Sequence, residues 1–402
     1  MLSAMRATLL ADLIGQPEAV EFLRGVVSRG RFANAYLFHG PAGVGKGTAA
    51  IAFARALLCE RTGPAPAGPA ASSEMSAAPS PAGDACGRCP TCQKSADLQH
   101  PDLKILFPVS GEEKDLDDTV AETLAAWRED PFFVFTYEKA ASIRLALTRE
   151  LLRELAFHPY EASHRVVVVR DADRMREDQY SAMLKSIEEP GMSTVWVLTT
   201  SRPSRLPPTI RSRCQRVRFR PLAETAIGQF LRKNVGLDER TSRMLAALGS
   251  GSLGRALALR DADPLAARNQ ALALLEIARR GDPAELWKSV QALGRYGRAG
   301  RETLRRMIEF QILWQRDLLR ARYGAAREAL VHRDREAEIR RLAESVDATE
   351  IRRRLMILEE ALRSIEGNVA ADLALFSAMD RLADPALSQA SWPRHPTARW
   401  EY

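Results

Sequence analysis

The sequence lacks any long apolar run. No stretch of its 402 residues approaches the eighteen or so apolar residues that a membrane-spanning helix needs. The segment from Met1 to Leu10 is too short and too polar to be the apolar region of a signal peptide. The sequence therefore predicts a cytoplasmic protein that has no membrane partner.

The sequence also lacks the elements with which proteins read nucleic-acid sequence. It contains no recognition helix, no zinc-finger helix with basic base-reading residues and no strand face rich in aromatic residues. A net charge of +7 permits a nucleic-acid neighbour, but a modest arginine surplus is also typical of solvated helix faces. A complex that holds DNA collectively fits this composition better than DNA binding by the chain alone.

A phosphate-binding loop is predicted near the N-terminus. The apolar strand Ala35–His39 leads into a glycine-rich loop, and an alanine-rich helix, Thr48–Cys59, follows. The loop glycines are Gly40, Gly43 and Gly45. Glycine lets backbone N–H groups turn toward phosphate oxygens, and Lys46 adds a positive charge. The order of strand, glycine loop and helix is the context that a phosphate loop requires.

The central fifty residues predict two buried parallel strands separated by a helix. Arg165–Val169 and Thr194–Leu198 are nearly continuous β-branched or apolar runs, and Gln179–Glu189 lies between them with helical character. Ligand chemistry in such a sheet lies at the carboxyl ends of the strands. There the first strand is followed by Arg170 and Asp171.

Cysteine is rare, yet four of the five cysteines are candidates for one site. They are Cys59, Cys86, Cys89 and Cys92. Close Cys-x-x-Cys spacing lets thiolates converge on one metal ion, and four thiolates satisfy tetrahedral zinc. A disulfide pair and a redox motif are the alternatives. Residues 62–84 consist almost entirely of Ala, Pro, Ser and Gly, which predicts a disordered insertion.

The rest of the chain predicts mostly helices. Residues 110–140 form an acidic and then aromatic insertion to which the sequence assigns no function. A boundary is expected at Pro221, and helical patterns continue to the C-terminus. We expect three domains: residues 1–221, which include the cysteine module at 59–92, a small helical unit at 222–263, and a helical bundle at 264–402.

The phosphate loop, the acidic strand end and Ser212-Arg213-Cys214 together resemble the AAA+ subunits of the bacterial DNA polymerase III clamp loader, and delta-prime more than gamma/tau. The resemblance implies an α/β fold: an AAA+ P-loop domain with a parallel sheet, a zinc module insertion, a helical lid and a C-terminal helical collar. It supports zinc, because these subunits carry a four-cysteine module after the phosphate-loop helix. The long gap after Cys59 departs from the family spacing.

The sequence departs from an ATPase of this class at three positions. Gly47 replaces the hydroxyl residue that holds Mg²⁺ after the lysine, and Thr48 lies about 100° further around the helix. Arg170 stands where the family has its metal-binding aspartate, and Asp171 where it has the catalytic glutamate. Gly254 replaces the lid arginine. We therefore expect no ATP hydrolysis, while nucleotide binding without turnover stays open.

Two residues complete the expected site. Thr200 lies at the position of the family's sensor of nucleotide state, and Arg213 at that of an arginine that acts on a neighbour's nucleotide. The implied function is that of a delta-prime-like component of the polymerase III holoenzyme. Its implied partners are gamma/tau, delta, the sliding clamp and, through the complex, primer-template DNA. The alternatives are an ATP-hydrolysing gamma/tau-like subunit and a zinc-containing nucleic-acid adaptor.

Overall fold

The structure, a computed structural model, describes residues 9–62, 83–109, 116–129, 133–135, 141–188, 194–260, 263–294, 297–366 and 369–383. The chain divides into two compact units. The first comprises residues 1–227 and 249–258, and the second comprises residues 228–248 and 259–402. Among the described residues, no helix is long and apolar enough to cross a membrane.

A five-stranded parallel sheet forms the centre of the first unit. Its strands run in the spatial order β2-β3-β4-β1-β5. They are β1 (Ala35–His39), β2 (Leu103–Leu106), β3 (Arg165–Val169), β4 (Thr194–Thr200) and β5 (Gln215–Arg218). Because all five strands point the same way, the residues that follow β1, β3 and β4 meet at one edge of the sheet.

Both faces of the sheet are buried. Along β3, Val166 and Val168 belong to one apolar core, and Val167 and Val169 belong to another. This alternation follows from the two-residue period of a strand, and it explains why the strand reads as an unbroken run of valines. The sheet is therefore the middle layer of three.

Helices of the first unit cover the two faces. The elements are α1 (Pro17–Arg29), α2 (Lys46–Leu58), α3 (Pro90–Ala96), α4 (Leu116–Glu129), α5 (Leu145–Glu154), α6 (Glu177–Glu188) and α7 (Pro208–Arg213). Side chains of α1 and α2 contribute to the core that contains Val166, whereas α5, α6 and α7 contribute to the core on the opposite face. The helix α4, within residues 110–140, has no counterpart among the sequence-based expectations.

The described residues beyond β5 form helices and connecting loops and contain no strand. The helices beyond β5 are α8 (Glu224–Phe230), α9 (Glu239–Gly249), α10 (Leu253–Ala258), α11 (Pro264–Arg279), α12 (Pro283–Gly294), α13 (Gly297–Arg322), α14 (Glu336–Ser345), α15 (Ala348–Glu366) and α16 (Ala371–Ala383). The buried Asp317 carboxylate accepts hydrogen bonds from the backbone N–H groups of Val331 and His332. The expected lid, residues 222–263, is divided between the units, and the three-domain division stays a prediction.

The predicted disordered insertion needs a correction at its far edge. Its central part, residues 63–82, lies outside the described residues. Asp84, however, is fully buried, and its two carboxylate oxygens accept hydrogen bonds from the backbone N–H groups of Leu10 and Ala11. Asp84 therefore belongs to the folded cysteine module, because its carboxylate supplies acceptors that the N-terminal segment needs.

Candidate nucleotide and metal sites

The phosphate loop has the backbone conformation that its glycines predict. Gly40, Gly43 and Gly45 have φ values of 145°, 71° and 98°. These angles are rarely adopted by residues that carry a Cβ, so the loop depends on glycine at all three positions. The loop leads directly into Lys46, the first residue of α2.

Lys46 is turned onto its own loop. Its side chain is buried, and its ammonium group donates hydrogen bonds to the backbone oxygens of Gly40 and Pro41. Burial lowers the pKa of Lys46 to about 8; the Arg170 guanidinium adds to the lowering, and the carboxylates of Asp171 and Asp173 oppose it. The loop itself therefore supplies hydrogen-bond acceptors for the Lys46 ammonium group.

The first turn of α10 and the preceding Ser252 pack onto the loop. The Gly254 backbone N–H donates to the Gly43 oxygen over 2.9 Å. A Cβ added to Gly43 would lie 2.1 Å from the Ser252 Oγ. Gly254, predicted to replace the lid arginine, thus lies in backbone contact with the phosphate loop, and a side chain at either glycine would separate the two segments.

Arg170 lies at the place where a metal ligand was expected. A Cβ added to Gly47 would lie 2.8 Å from Arg170 Nη1 and 2.9 Å from its Cζ. The guanidinium therefore rests against the Cα of Gly47 at the start of α2. The same guanidinium lies over aromatic rings, with Cζ 3.7 Å from the ring centroid of Phe135 and 5.1 Å from that of Trp127. Thr48 is exposed.

The ends of β3 and β4 are joined by a carboxylate that the sequence analysis did not single out. The Thr200 hydroxyl donates to Asp173 Oδ1 over 2.6 Å, and Arg202 Nε donates to Asp173 Oδ2 over 2.9 Å. Thr200 and Asp173 are both buried. The sequence signal available was an acidic residue two positions after Asp171, but only the fold brings it to the end of β4.

Gln16 links the N-terminal segment to the phosphate loop. Its side-chain amide donates to the oxygens of Val44, in the phosphate loop, and Arg220, after β5. The Gln16 Oε1 accepts from the Arg220 N–H over 3.0 Å. One buried amide thus joins the N-terminal segment, the loop and the last strand.

The four predicted cysteines come together. The Sγ atoms of Cys59, Cys86, Cys89 and Cys92 all lie within 4.8 Å of one another, and those of Cys86 and Cys92 are 3.9 Å apart. Zinc–sulfur bonds of about 2.3 Å in a tetrahedron place sulfur atoms about 3.8 Å apart. The donor set and its dimensions therefore fit one zinc ion, with Cys59 supplied by the end of α2.

Local backbone geometry supports this cluster. Cys89 caps α3, and its Sγ accepts from the Cys92 N–H over 3.4 Å; the Sγ of Cys86 accepts from the Cys89 N–H over the same distance. Hydrogen bonds from the Cys89 and Cys92 thiols lower the pKa of Cys59, and the hydrogen bond with Cys59 raises the pKa of Cys92. These hydrogen bonds favour the thiolate form at Cys59 and the thiol form at Cys92.

Arg213 lies at the edge of the first unit. It is the last residue of α7, and its side chain is exposed. The guanidinium donates to the Thr209 oxygen over 3.1 Å and forms an ion pair with Glu188 at the end of α6. The structure thus places Arg213 apart from the loop and strand-end residues of the chain's own phosphate site.

Comparison with known proteins gives related sequences among polymerase subunits. Subunit delta' of Pseudomonas aeruginosa DNA polymerase III is 33% identical over 46% of this chain and 43% of its own length. Subunit delta' of Bacillus subtilis is 27% identical over 53% of this chain and 50% of its own length. Subunit tau of B. subtilis is 24% identical over 62% of this chain and 37% of its own length. These matches span half or less of each relative.

The family assignment rests on a longer match. The family described as "DNA polymerase III, delta subunit" matches residues 15–223, which is more than half of the chain. This stretch contains the sheet, the phosphate loop, the cysteine cluster and Arg213. The expected α/β fold with a parallel sheet is confirmed, and the chain belongs to the DNA polymerase III delta subunit family.

Proposed function

We propose that the chain is a delta-prime-like subunit of the bacterial DNA polymerase III clamp loader. In this proposal it does not hydrolyse ATP at its own phosphate loop, and it supplies Arg213 to the ATP site of a neighbouring subunit. The observation that carries the proposal is the contact of the Arg170 guanidinium with Gly47, where an active site would hold Mg²⁺.

The loss of hydrolysis follows from the needs of the metal ion. Mg²⁺ requires nearly octahedral oxygen coordination at about 2.1 Å. Gly47 offers no hydroxyl, and Arg170 brings a positive charge that repels a divalent cation. Asp171 alone does not replace both missing ligands. Without the metal, the developing charge on a transferred phosphoryl group lacks its main stabilisation.

Arg213 supports the second half of the proposal. Its exposure at the end of α7 suits contact with another chain, and a guanidinium is charged at every relevant pH. Donated to a neighbour's γ-phosphate, it would stabilise charge in the transition state of phosphoryl transfer. In the absence of a neighbour's phosphate, the ion pair with Glu188 holds the Arg213 side chain at the protein surface.

The cysteine cluster fits a structural role in this proposal. Cys59, Cys86, Cys89 and Cys92 would hold one zinc ion, which would join the end of α2 to α3. All four ligands come from the chain, so zinc would stabilise the fold rather than activate water. The proposed partners are gamma/tau, delta and the sliding clamp, with primer-template DNA held by the whole complex.

A reconstituted complex tests the role of Arg213. Arg213→Ala is assembled with gamma/tau and delta subunits of the same organism, and the ATPase rate stimulated by clamp and primed DNA is measured. Arginines that act on a neighbour's nucleotide contribute about 10³–10⁵ in rate at their own site. Because only one interface of the ring would be affected, we expect the ATPase rate of the whole complex to fall by roughly half or more.

Two variants act as controls. Arg205→Ala removes another exposed arginine nearby and should leave the rate unchanged. Arg213→Lys should rescue little, because an ammonium group cannot reproduce the two-pronged geometry of guanidinium. If the Arg213→Ala complex assembles and hydrolyses ATP at the wild-type rate, Arg213 is an interface residue only.

The gamma/tau-like alternative is favoured by one observation. The match to tau covers 62% of this chain, more than either delta' match covers. A tau-like chain would turn over ATP by itself, and substitution of Lys46 by Ala would abolish that turnover.

A further inference from the structure

The proposed function gives no role to residues 110–140, of which 116–129 and 133–135 are described. Four rings from this region and the end of β2 form what we call the aromatic cluster: Phe107, Trp127, Phe133 and Phe135. Phe135 is at its centre, with ring centroids 5.5 Å from Phe107, 5.0 Å from Trp127 and 4.9 Å from Phe133. The three contacts are edge-to-face, the arrangement that aromatic pairs favour.

The aromatic cluster is anchored to the core. Phe107 and Val109, which follow β2, and Leu116, which begins α4, are buried in one apolar group. Val120, Leu124 and Phe135 pack against that group from the insertion. The cluster is thus held in place by the sheet and by one face of α4.

Arg170 lies between the aromatic cluster and the phosphate loop. Its guanidinium carbon lies 3.7 Å from the centroid of the Phe135 ring, and the guanidinium also contacts Gly47. The Arg170 backbone is also fixed, because its N–H donates to the Leu106 oxygen over 2.8 Å. A guanidinium over a ring face is attracted by the ring quadrupole, so the aromatic cluster determines where this charge lies.

We propose that the aromatic cluster holds the Arg170 guanidinium on Gly47, at the start of α2, as a fixed cation in place of a divalent metal. The loop is thereby kept in one conformation whether or not Mg²⁺ or nucleotide is present. This inference rests on the proposed inactivity of the chain's own site and is independent of any action of Arg213.

The surrounding charges agree with this assignment. Lys46 is the second cation at the loop, and the carboxylates of Asp171 and Asp173 act on it from the strand end. A third, divalent cation would face both Lys46 and Arg170. Glycine at position 47 is what allows the close approach, because a Cβ there would overlap the guanidinium.

Backbone amide hydrogen exchange of the full-length chain tests whether the Arg170 contact fixes the loop. Arg170→Met removes the charge and keeps most of the side-chain length, and Phe135→Leu removes the ring face and keeps an apolar side chain. Both should speed exchange of the amides in residues 43–49 by at least tenfold, because the loop loses its fixed contact. Phe135→Tyr, which retains a ring, should exchange at the wild-type rate.

Matched controls separate this effect from general destabilisation. Arg176→Met and Phe157→Leu change residues of the same types at exposed positions, and neither should alter exchange in the loop. Addition of Mg²⁺ and ADP should leave exchange of the wild-type loop unchanged and should slow it in Arg170→Met.

The outcomes are distinguishable. Wild-type exchange in Arg170→Met, or in a folded Phe135→Leu variant, would overturn this proposal, even if the wild-type chain hydrolyses no ATP. Since Arg170→Met leaves the aromatic cluster intact, an unfolded Phe135→Leu variant does not prevent the test. ATP turnover by the wild-type chain would instead overturn the proposed function.

Discussion

At the residue scale, the chemistry of the phosphate site is decided by one pair, Gly47 and Arg170. In an ATPase of this class the two positions would hold oxygen ligands of a metal ion. In this chain they form a close contact between a glycine Cα and a guanidinium. The two residues therefore constrain each other, and their effects on stability should be coupled.

A double-mutant cycle measures this coupling. Gly47→Ala should lower the free energy of unfolding by roughly 1–3 kcal/mol, because its Cβ would overlap Arg170 and force the arginine or the helix to move. In an Arg170→Ala background the same substitution should be neutral or stabilising, since alanine favours a helix. Chemical denaturation of the four proteins checks this, and equal effects in both backgrounds would show that the contact does not constrain position 47.

The pH dependence of stability is also a property of one residue. The pKa of Lys46 is about 8 in the folded protein and 10.5 ordinarily, so the unfolded chain binds more protons between these values. The contribution of Lys46 to the free energy of unfolding therefore rises as pH increases from about 8 to 10.5, by at most about 3 kcal/mol.

Lys46→Met should abolish this contribution. Wild type should gain stability relative to Lys46→Met as pH rises from 8 to 10, whereas the exposed Lys185→Met variant should follow wild type. Denaturation midpoints measured across this range provide the comparison. A constant difference between wild type and Lys46→Met would mean that Lys46 does not titrate there.

At the element scale, the cysteine module joins segments that are distant in the sequence. Cys59 ends α2, and the other three cysteines surround the start of α3. Asp84 ties the same module to Leu10 and Ala11 through hydrogen bonds. A metal ion at the four thiols would therefore stabilise several segments at once.

Removal of one thiol tests the metal. Cys89→Ser should reduce zinc from one ion per chain to near zero and lower the melting temperature by roughly 5 °C or more, since metal binding is coupled to folding. Cys214→Ser changes the buried cysteine outside the cluster and should retain zinc. Elemental analysis and thermal melts provide the readouts. Zinc-free wild-type protein with unchanged stability would contradict a structural metal.

At the scale of the whole molecule, the described sites divide into one whose groups bind within the chain and one at the surface. The Lys46 ammonium donates a hydrogen bond to the Gly40 oxygen of its own loop, and Gly254 donates to Gly43 in the same loop. Arg170 contacts Gly47, directly after the loop. Arg213 lies at the surface, where another chain can reach it. Such a division suits a subunit that acts within an assembly.

The isolated chain should consequently show no ATP turnover above background. A steady-state assay with Mg²⁺ at saturating ATP checks this, with Lys46→Ala as the reference for background. Turnover of a few per minute that disappears in Lys46→Ala would favour the gamma/tau-like alternative, because only a working phosphate loop depends on that lysine.

The sequence by itself determined the elements whose signals are local. The bounds of β1 and β3 were predicted correctly, because a run of β-branched or apolar residues reports burial on both faces of a strand. The glycine pattern predicted the loop, and close cysteine spacing predicted three of the clustered thiols. Family resemblance supplied the assignment that the match over residues 15–223 confirms.

Only the tertiary structure decided the contacts between distant segments. The sequence identified Gly47 and Arg170 as departures from an ATPase, but not that they touch, since they are more than a hundred residues apart. Asp173 meets Thr200 because parallel pairing aligns the carboxyl ends of β3 and β4, and Phe135 meets Arg170 because it packs on Phe107 after the neighbouring strand β2. Pairing across a sheet leaves no local pattern in the sequence, and so the role of the aromatic cluster became visible only in the folded chain.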